Sequence, residues 1–320
     1  MGAVIRAADY GGTTLSRVPE KNLGLIIAET CRRSVLLQIA NPDYTITSLG
    51  LDTAPKATYD IITDISVGGF TGSNWNGEVW EPDNPFKAGE ITLCQSIDIE
   101  KKFARREARR LADRWDTTQS GYETSIGEAL SQEVEYYGLR SLVSQAYRYN
   151  VGTKAGKSSK NINLGSSDNP ISVGYGQGSV KASQVLRRMK RVLTESAGNC
   201  GLVKVIASPN FYDMILDEQS VLGAGCCLSS NPLITGVTST MLGMDIFSTI
   251  NMPTFDKTAN GKRVEYVMMV NQKHIAAPMD LSFLEWQTIK RDIWLVGEFD
   301  FDVVALTGAS IVVAAVVIDE

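Results

Sequence analysis

The sequence predicts an α+β fold, and three features of its apolar patterning carry that reading. Tyr59, Ile61, Thr63, Ile65 and Val67 alternate with mostly polar neighbours, and Ile91, Leu93, Gln95, Ile97 and Ile99 do the same, which is the period of half-buried strands. Ile126, Leu130, Val134, Tyr137, Leu142 and Ala146 recur at helical spacing behind Ser120-x-x-Glu123, a capping box, and predict a long helix over 121–147. From Leu281 onward the chain reads mainly as strand, in the runs Leu281–Ile289, Ile293–Leu306 and Ile311–Val317, the middle one long for a compact domain.

Residues 1–30 show no clear period, and Gly11, Gly12, Thr13 and Thr14 break any early helix, so this stretch reads as an arm. The first two strands flank Gly68–Gly89, which holds Asn76-Gly77 and the aromatics Phe70, Trp75, Trp80 and Phe86. Together they predict a hairpin over 57–96 with an elaborate tip. A lone two-stranded ribbon is marginally stable in water, so its apolar face must lie on something. Either its own domain or a neighbouring copy can supply that surface.

Glu100–Arg114 carries Lys101, Lys102, Arg105, Arg106, Arg109, Arg110 and Arg114. Drawn as a helix, Lys102, Arg105, Arg106 and Arg109 share one side. A solvated face, a salt-bridge site between subunits and a patch facing DNA all fit that pattern. Asn150–Ser179 is polar and glycine-rich with Lys154, Lys157 and Lys160 close together, and reads as a loop or hairpin outside the core. Val185, Leu186, Met189, Val192 and Leu193 then mark an amphipathic helix closed by Gly198, and Leu202–Ala207 a buried strand. Ser208-Pro209 opens a short helix with Phe211, Tyr212, Ile215 and Leu216, proline standing where its missing N–H does no harm. Met244–Ser248 and Val264–Val270 follow as strands, the second entered through the Asn260-Gly261 turn.

Composition excludes several function classes. Apolar residues are 43% and charged residues 21% of 320, as in an ordinary folded protein, and a net charge of -5 supplies no global field for nucleic acid. The longest apolar run, Ile311–Ile318, is far short of the ~20 residues that cross a bilayer. The first 30 residues hold no apolar segment of signal-peptide length, so synthesis and residence in the cytoplasm are expected. The five cysteines, Cys31, Cys94, Cys200, Cys226 and Cys227, show no C-x-x-C spacing and read as reduced thiols.

Catalytic and cofactor motifs fail one by one. The single histidine, His274, rules out two histidine ligands from one chain and reads as a strand-end residue. Ser208 sits in Ala-Ser-Pro and not in a nucleophile elbow. Asp300 and Asp302 would share a strand face with no evident chemistry. Gly152–Ser158 is one residue short of a phosphate-binding loop and follows a helix where the motif needs a strand; Gly174-Tyr-Gly176-Gln-Gly178 misplaces its third glycine for a dinucleotide fingerprint. No catalytic residue, cofactor or metal is expected. A nucleotide-binding enzyme using the loops at 152–178 is the alternative from another functional class.

The order of elements resembles the Hong Kong 97-type major capsid proteins of tailed phages over nearly the whole chain. The most specific stretch is the helix Val180–Ala197, the strand Leu202–Ala207 and Ser208-Pro209-x-x-Tyr212-x-x-Ile215-Leu216. Asn231-Pro-Leu-Ile-Thr-Gly236, Leu242-Gly-Met-Asp-Ile246 and Asn251-Met-Pro253 continue it. The resemblance implies an N-terminal arm at 1–45, an extended-loop region at 46–96 and a peripheral domain at 97–178 with its spine helix at 121–147. An axial domain at 179–277, peripheral return strands at 278–304 and a final axial strand at 305–320 complete it.

It also implies a structural subunit that assembles into hexamers and pentamers of an icosahedral virion shell around double-stranded DNA, built in the host cytoplasm without sequence-specific DNA contacts or a membrane. In that family the extended loop lies over an adjacent subunit, so Phe70, Trp75, Trp80 and Phe86 become candidate contacts. Lys102, Arg105, Arg106, Arg109, Lys154, Lys157 and Lys160 become candidates for charge pairing between capsomers. Portal and possible decoration proteins are implied partners, and the short arm suggests a separate scaffolding protein. Some members weld subunits through a lysine–asparagine isopeptide bond. Lys87 could supply the lysine, but no asparagine occurs from Gln272 to Glu320, so no such weld is expected. An encapsulin-like compartment shell would share the fold and is the near alternative.

Overall fold

A computed structural model describes residues 13–17, 20–42, 56–62, 86–103, 115–197, 202–223, 240–241, 243–255, 263–289 and 292–319. In chain order the first half contains β1 (Thr13–Arg17), α1 (Glu20–Arg33), α2 (Val35–Ile39), β2 (Lys56–Ile62), β3 (Phe86–Thr92), β4 (Gln95–Phe103) and α3 (Trp115–Gln145). β5 (Ile171–Gly174), α4 (Ala182–Ala197), β6 (Val203–Ala207), α5 (Pro209–Gly223), β7 (Thr240–Met241), β8 (Met244–Ser248) and β9 (Thr254–Phe255) follow. The chain closes with β10 (Val264–Asn271), β11 (Ile275–Ala276), β12 (Met279–Ile289), β13 (Asp292–Phe301), β14 (Val304–Ala305) and β15 (Ile311–Asp319).

The unbroken apolar run at Ile311–Val317 has the pattern of a strand covered on both faces. β15 is such a strand, inside a seven-stranded sheet of order β5-β15-β10-β6-β8-β7 with β9 also on β10. Because side chains alternate along a strand, the sheet feeds two cores. Val205, Ala207, Val267, Met269, Val312 and Ala314 pack with Val185, Leu186 and Met189 of α4 and Phe211 and Ile215 of α5. Ile206, Met268, Val270, Ile311 and Val313 point the other way, into a core shared with α3 and the second sheet.

That second sheet is four antiparallel strands in the order β1-β12-β13-β4. Its inner residues Leu281, Leu284, Trp286, Leu295, Phe299 and Phe103 pack with Leu130, Val134, Leu139 and Leu142 of α3. α2 reaches α3 at Gly138, where an added Cβ would lie 2.3 Å from Leu36 Cδ2 and 2.8 Å from Val303 Cγ2. Any larger residue there would force the buried Leu36 and Val303 side chains to shift.

Where the structure departs from the sequence reading, tertiary partners explain it. α3 begins at Trp115, ahead of the capping box, because Asp116–Gly121 can extend a helix while lacking the apolar period that marks its packed part. Glu20–Arg33 is helical although residues 1–30 showed no clear period; Ile26 and Thr30 are buried, and Thr30 Oγ1 donates to the Ile26 carbonyl at 2.9 Å. The strand expected over Ile91–Ile99 breaks at Leu93-Cys94: Lys56–Ile62 pairs with Phe86–Thr92, whereas Gln95–Phe103 joins β13. Lys101–Phe103 are therefore strand and not helix, so Lys102 does not share a helical face with the arginines that follow. The run expected to reach Leu306 ends at Phe301, where the Asp302 carboxylate accepts from Val303 N–H at 2.7 Å and turns the chain; Asp300 and Asp302 thus do not share a strand face.

Asn150–Ser179 is not outside the core. Ala155, Ile162, Leu164, Ile171 and Val173 are all buried in the second cluster, and β5 adds a parallel edge to β15. Positive-φ glycines fold the loop inward: at Gly165 (φ 75) a Cβ would lie 2.3 Å from the Ala315 carbonyl oxygen.

Candidate assembly surfaces

The hairpin is the first surface. β2 and β3 pair antiparallel from Lys56↔Thr92 to Ile62↔Phe86, and neither joins the two larger sheets. Phe86 opens β3, opposite Ile62; its side chain, and Phe70, Trp75 and Trp80 entirely, lie outside the described residues.

The basic segment is split. Lys102 lies on the outer face of β4, its Nζ 2.7 Å from Asp292 and 5.6 Å from the centroid of the Trp294 ring. With both partners solvent-accessible, the pair adds little stability. Arg105, Arg106 and Arg109 lie outside the described residues.

Lys154, Lys157 and Lys160 are exposed on the loop that follows α3. The loop is pinned by Ala155↔Ile162 pairing and by Gly156 N–H donating to the Tyr149 carbonyl at 2.8 Å, and Lys160 adopts φ 51, which is uncommon for a side-chain-bearing residue. Two of its amides are taken by a carboxylate. The Glu195 carboxylate accepts from Ser158 N–H at 3.2 Å, Ser159 N–H at 3.0 Å and Ser159 Oγ at 2.9 Å. The Ser159 N–H first, then its hydroxyl, the Ser158 N–H and Arg191, together hold the Glu195 carboxyl below the usual carboxylate range, and they outweigh the opposing effect of burial.

The second phosphate-like loop is filled in the same way. Glu218, 4% exposed, accepts from Ala182 N–H at 2.5 Å and Ser183 N–H at 3.1 Å, occupying the N-terminus of α4 that follows Gly174–Gly178. A phosphate at either loop would displace a bound carboxylate and meet its negative charge. The geometry therefore weighs against the nucleotide-binding alternative. Sequence reasoning missed both glutamates because they lie more than 30 residues from the amides they satisfy.

The remaining candidates are structural. Ser208 Oγ accepts from Phe211 N–H at 3.3 Å as the cap of α5 and donates to buried Glu265. His274 sits half-buried in a turn, where burial, and then Lys273, lower its pKa, and its carbonyl accepts from Leu306 N–H at 2.9 Å. Among the described residues no group of His, Cys, Asp or Glu has the arrangement of a metal site.

The outer face of the four-stranded sheet is acidic. Asp98 stands directly across from Glu298, and Asp300 across from Asp280, while Ser96 Oγ donates to Glu298 at 3.1 Å. Burial, and then the nearby Asp300, raise the pKa of Asp280. A carboxyl whose folded pKa is raised weakens the fold as pH rises through that value and costs nothing once both states are protonated. Asp280→Asn should therefore stabilise the dispersed subunit by about 0.5–1 kcal/mol at neutral pH, the scale of a like-charged cross-strand pair, with the gain vanishing in acid. Urea midpoints of parent and variant across pH test this; a gain that does not depend on pH would refute the assignment.

No family model matches the chain, and no curated protein matches it. Solved structures do. A chain of the satellite phage P4 procapsid is 10% identical with a TM-score of 0.55, covering 96% of this chain and 94% of its own. A chain of the cyanophage Pam1 capsid is 11% identical at TM-score 0.53, covering 82% and 84%, and a chain from Mycobacterium phage Che8 is 12% identical at 0.52, covering 90% and 91%. The α+β chain described here thus has the fold of phage capsid proteins along nearly its whole length.

Proposed function

We propose that the chain is the major capsid subunit of a tailed bacteriophage, of the Hong Kong 97 type, a structural protein and not an enzyme. The reading rests on one observation: the capsid fold spans almost the entire chain, 96% of it in the likeness to the satellite phage P4 procapsid, and is not confined to one sheet. Copies associate into hexamers and pentamers that close an icosahedral virion shell around double-stranded DNA. The hairpin of β2 and β3, which joins neither large sheet, lies over the adjacent copy, with Phe70, Trp75, Trp80 and Phe86 as its contacts. Residues 97–178 with 278–304 form the peripheral domain, and 179–277 with 305–320 the axial one. A separate scaffolding protein, a portal and a possible decoration protein complete the assembly in the host cytoplasm.

Electron microscopy of the purified, concentrated protein tests this. Rings of five and six or closed shells are expected, and a chain that stays a compact single copy would refute it. Arg106→Glu with Arg109→Glu should abolish shells while leaving a folded subunit, as read by sedimentation and circular dichroism; normal shells from that variant would remove these arginines from the interface. Denaturing electrophoresis of mature particles should give one band near 34.8 kDa, and a covalent ladder would contradict the absence of an isopeptide weld.

A further inference from the structure

The loop lysines do not stand alone. α4 exposes Arg187, Lys190 and Arg191 and half-exposes Arg188 beside the loop, and two contacts join helix to loop: Arg188 donates to the Asn163 carbonyl at 3.4 Å and Glu195 holds Ser158 and Ser159. Lys154, Lys157 and Lys160 therefore extend the basic side of α4 into one continuous surface. Glu195, the carboxylate inside it, is already engaged by the two serines and by Arg191.

The complementary sign occurs on the same chain. On the outer face of the four-stranded sheet, Asp98 and Glu100 are exposed, with Glu298 and Asp300 half-exposed beside them, while Lys102 at the end of β4 pairs with Asp292 and leaves the face acidic on balance. Both sheets turn their inner faces to one shared core, while α4 covers the opposite face of the seven-stranded sheet. The basic surface and the acidic face thus look away from the shared core and cannot close on each other within one chain. Two complementary, non-identical patches on one subunit generate head-to-tail contacts, which close into rings when the rotation permits.

We infer that the α4–loop surface of one copy docks on the acidic β4–β13 face of the next copy, an inference that rests on the shell reading above. A second copy fits better than nucleic acid for two reasons. The matching acidic surface is present on the chain itself. In addition, the loop lysines are held in a fixed geometry by positive-φ residues and the Glu195 bonds, which a register-setting contact needs and a non-specific phosphate contact does not. Partly exposed charge pairs of this kind set register and are weakened by salt, with a screening length of about 8 Å at 0.15 M.

The test uses the full chain in three variants: Lys157→Glu with Arg187→Glu, Asp98→Lys with Glu298→Lys, and all four changes together. Each double reversal should raise the concentration for half-maximal assembly by about tenfold or more, and the fourfold variant should bring it back toward the parent, as read by sedimentation velocity and electron microscopy. Thermal unfolding of the dispersed variants checks folding, and the salt dependence of parent assembly gives a readout that needs no variant: weaker assembly at high salt is expected, and indifference to salt would overturn the pairing. A folded fourfold variant that does not recover would overturn it too. So would a basic-surface variant that assembles like the parent, including one that assembles normally but retains less DNA, which would assign the surface to nucleic acid. A parent chain that never assembles would instead sink the shell reading itself.

Discussion

Glu135→Ala should cost about 3–5 kcal/mol of subunit stability, the loss expected when a buried carboxyl is removed and the several donors it satisfies are stranded at about 1–3 kcal/mol each. Glu135 is 5% exposed on α3 and serves two other segments. One carboxylate oxygen accepts from Val35 N–H at 2.7 Å and from the Ser34 hydroxyl at 3.4 Å, at the start of α2. The other accepts from the Thr249 hydroxyl and from Asn251 Nδ2 at 3.3 Å, and Thr249 Oγ1 in turn accepts from Asn251 N–H at 3.1 Å, shaping the turn after β8. Alanine would strand donors on both sides at once. Glutamine keeps the shape and one acceptor but sets an NH2 against donors on the other side, so it should lose roughly half as much. Urea unfolding of the dispersed subunit measures both. An alanine variant within 1 kcal/mol of the parent would mean that water or rearrangement satisfies these groups. One carboxylate thus ties the long helix to α2 and to the turn after β8 of the seven-stranded sheet.

Segments with a strong period of their own were legible in the sequence. β15, α4, β6 and the Ser208-Pro209 start of α5 fall where apolar spacing and capping chemistry put them, because each packs a continuous face and carries its own boundary signal. Segments whose state is set by distant partners were not. Lys101 and Lys102 are strand because Leu295 and Trp294 stand across from them, which a basic run cannot reveal. The polar loop after α3 is half core because Ala155, Ile162 and Leu164 tuck under it at glycine turns. The same rule governs the sites. Failed motif spacing argued against phosphate binding, but the reason in the structure is that Glu195 and Glu218 reach back to fill both loops, and no local spacing encodes that. Of the assembly candidates, the lysines of 154–160 gained neighbours from α4 that were visible in sequence only as the polar side of an amphipathic helix.

Asn150 is the second position where a small change should have a large effect. It is fully buried between the end of α3 and the start of β15, and its side-chain amide donates to the carbonyls of Ala309 at 3.0 Å and Ile311 at 2.8 Å, with Gly308 at 3.4 Å. Its backbone N–H donates to Tyr147 at 2.8 Å and its carbonyl accepts from Val313 N–H at 3.2 Å, so the residue stitches the helix exit to the strand entry. Asn150→Ala should cost about 2–4 kcal/mol, from stranded carbonyls plus a small cavity. Asn150→Asp is the sharper test, because it keeps the volume and replaces the donor by a carboxylate facing carbonyl oxygens. Ionised, it can donate nothing and is repelled; protonated, it can donate one bond. Its folded pKa must then lie above the unfolded value, so the aspartate variant should lose stability as pH rises through that value and approach the alanine variant or better it in acid. Urea midpoints at pH 7 and pH 4 would show it, and an aspartate variant as stable as the parent at pH 7 would mean that the amide does not point its nitrogen at these carbonyls.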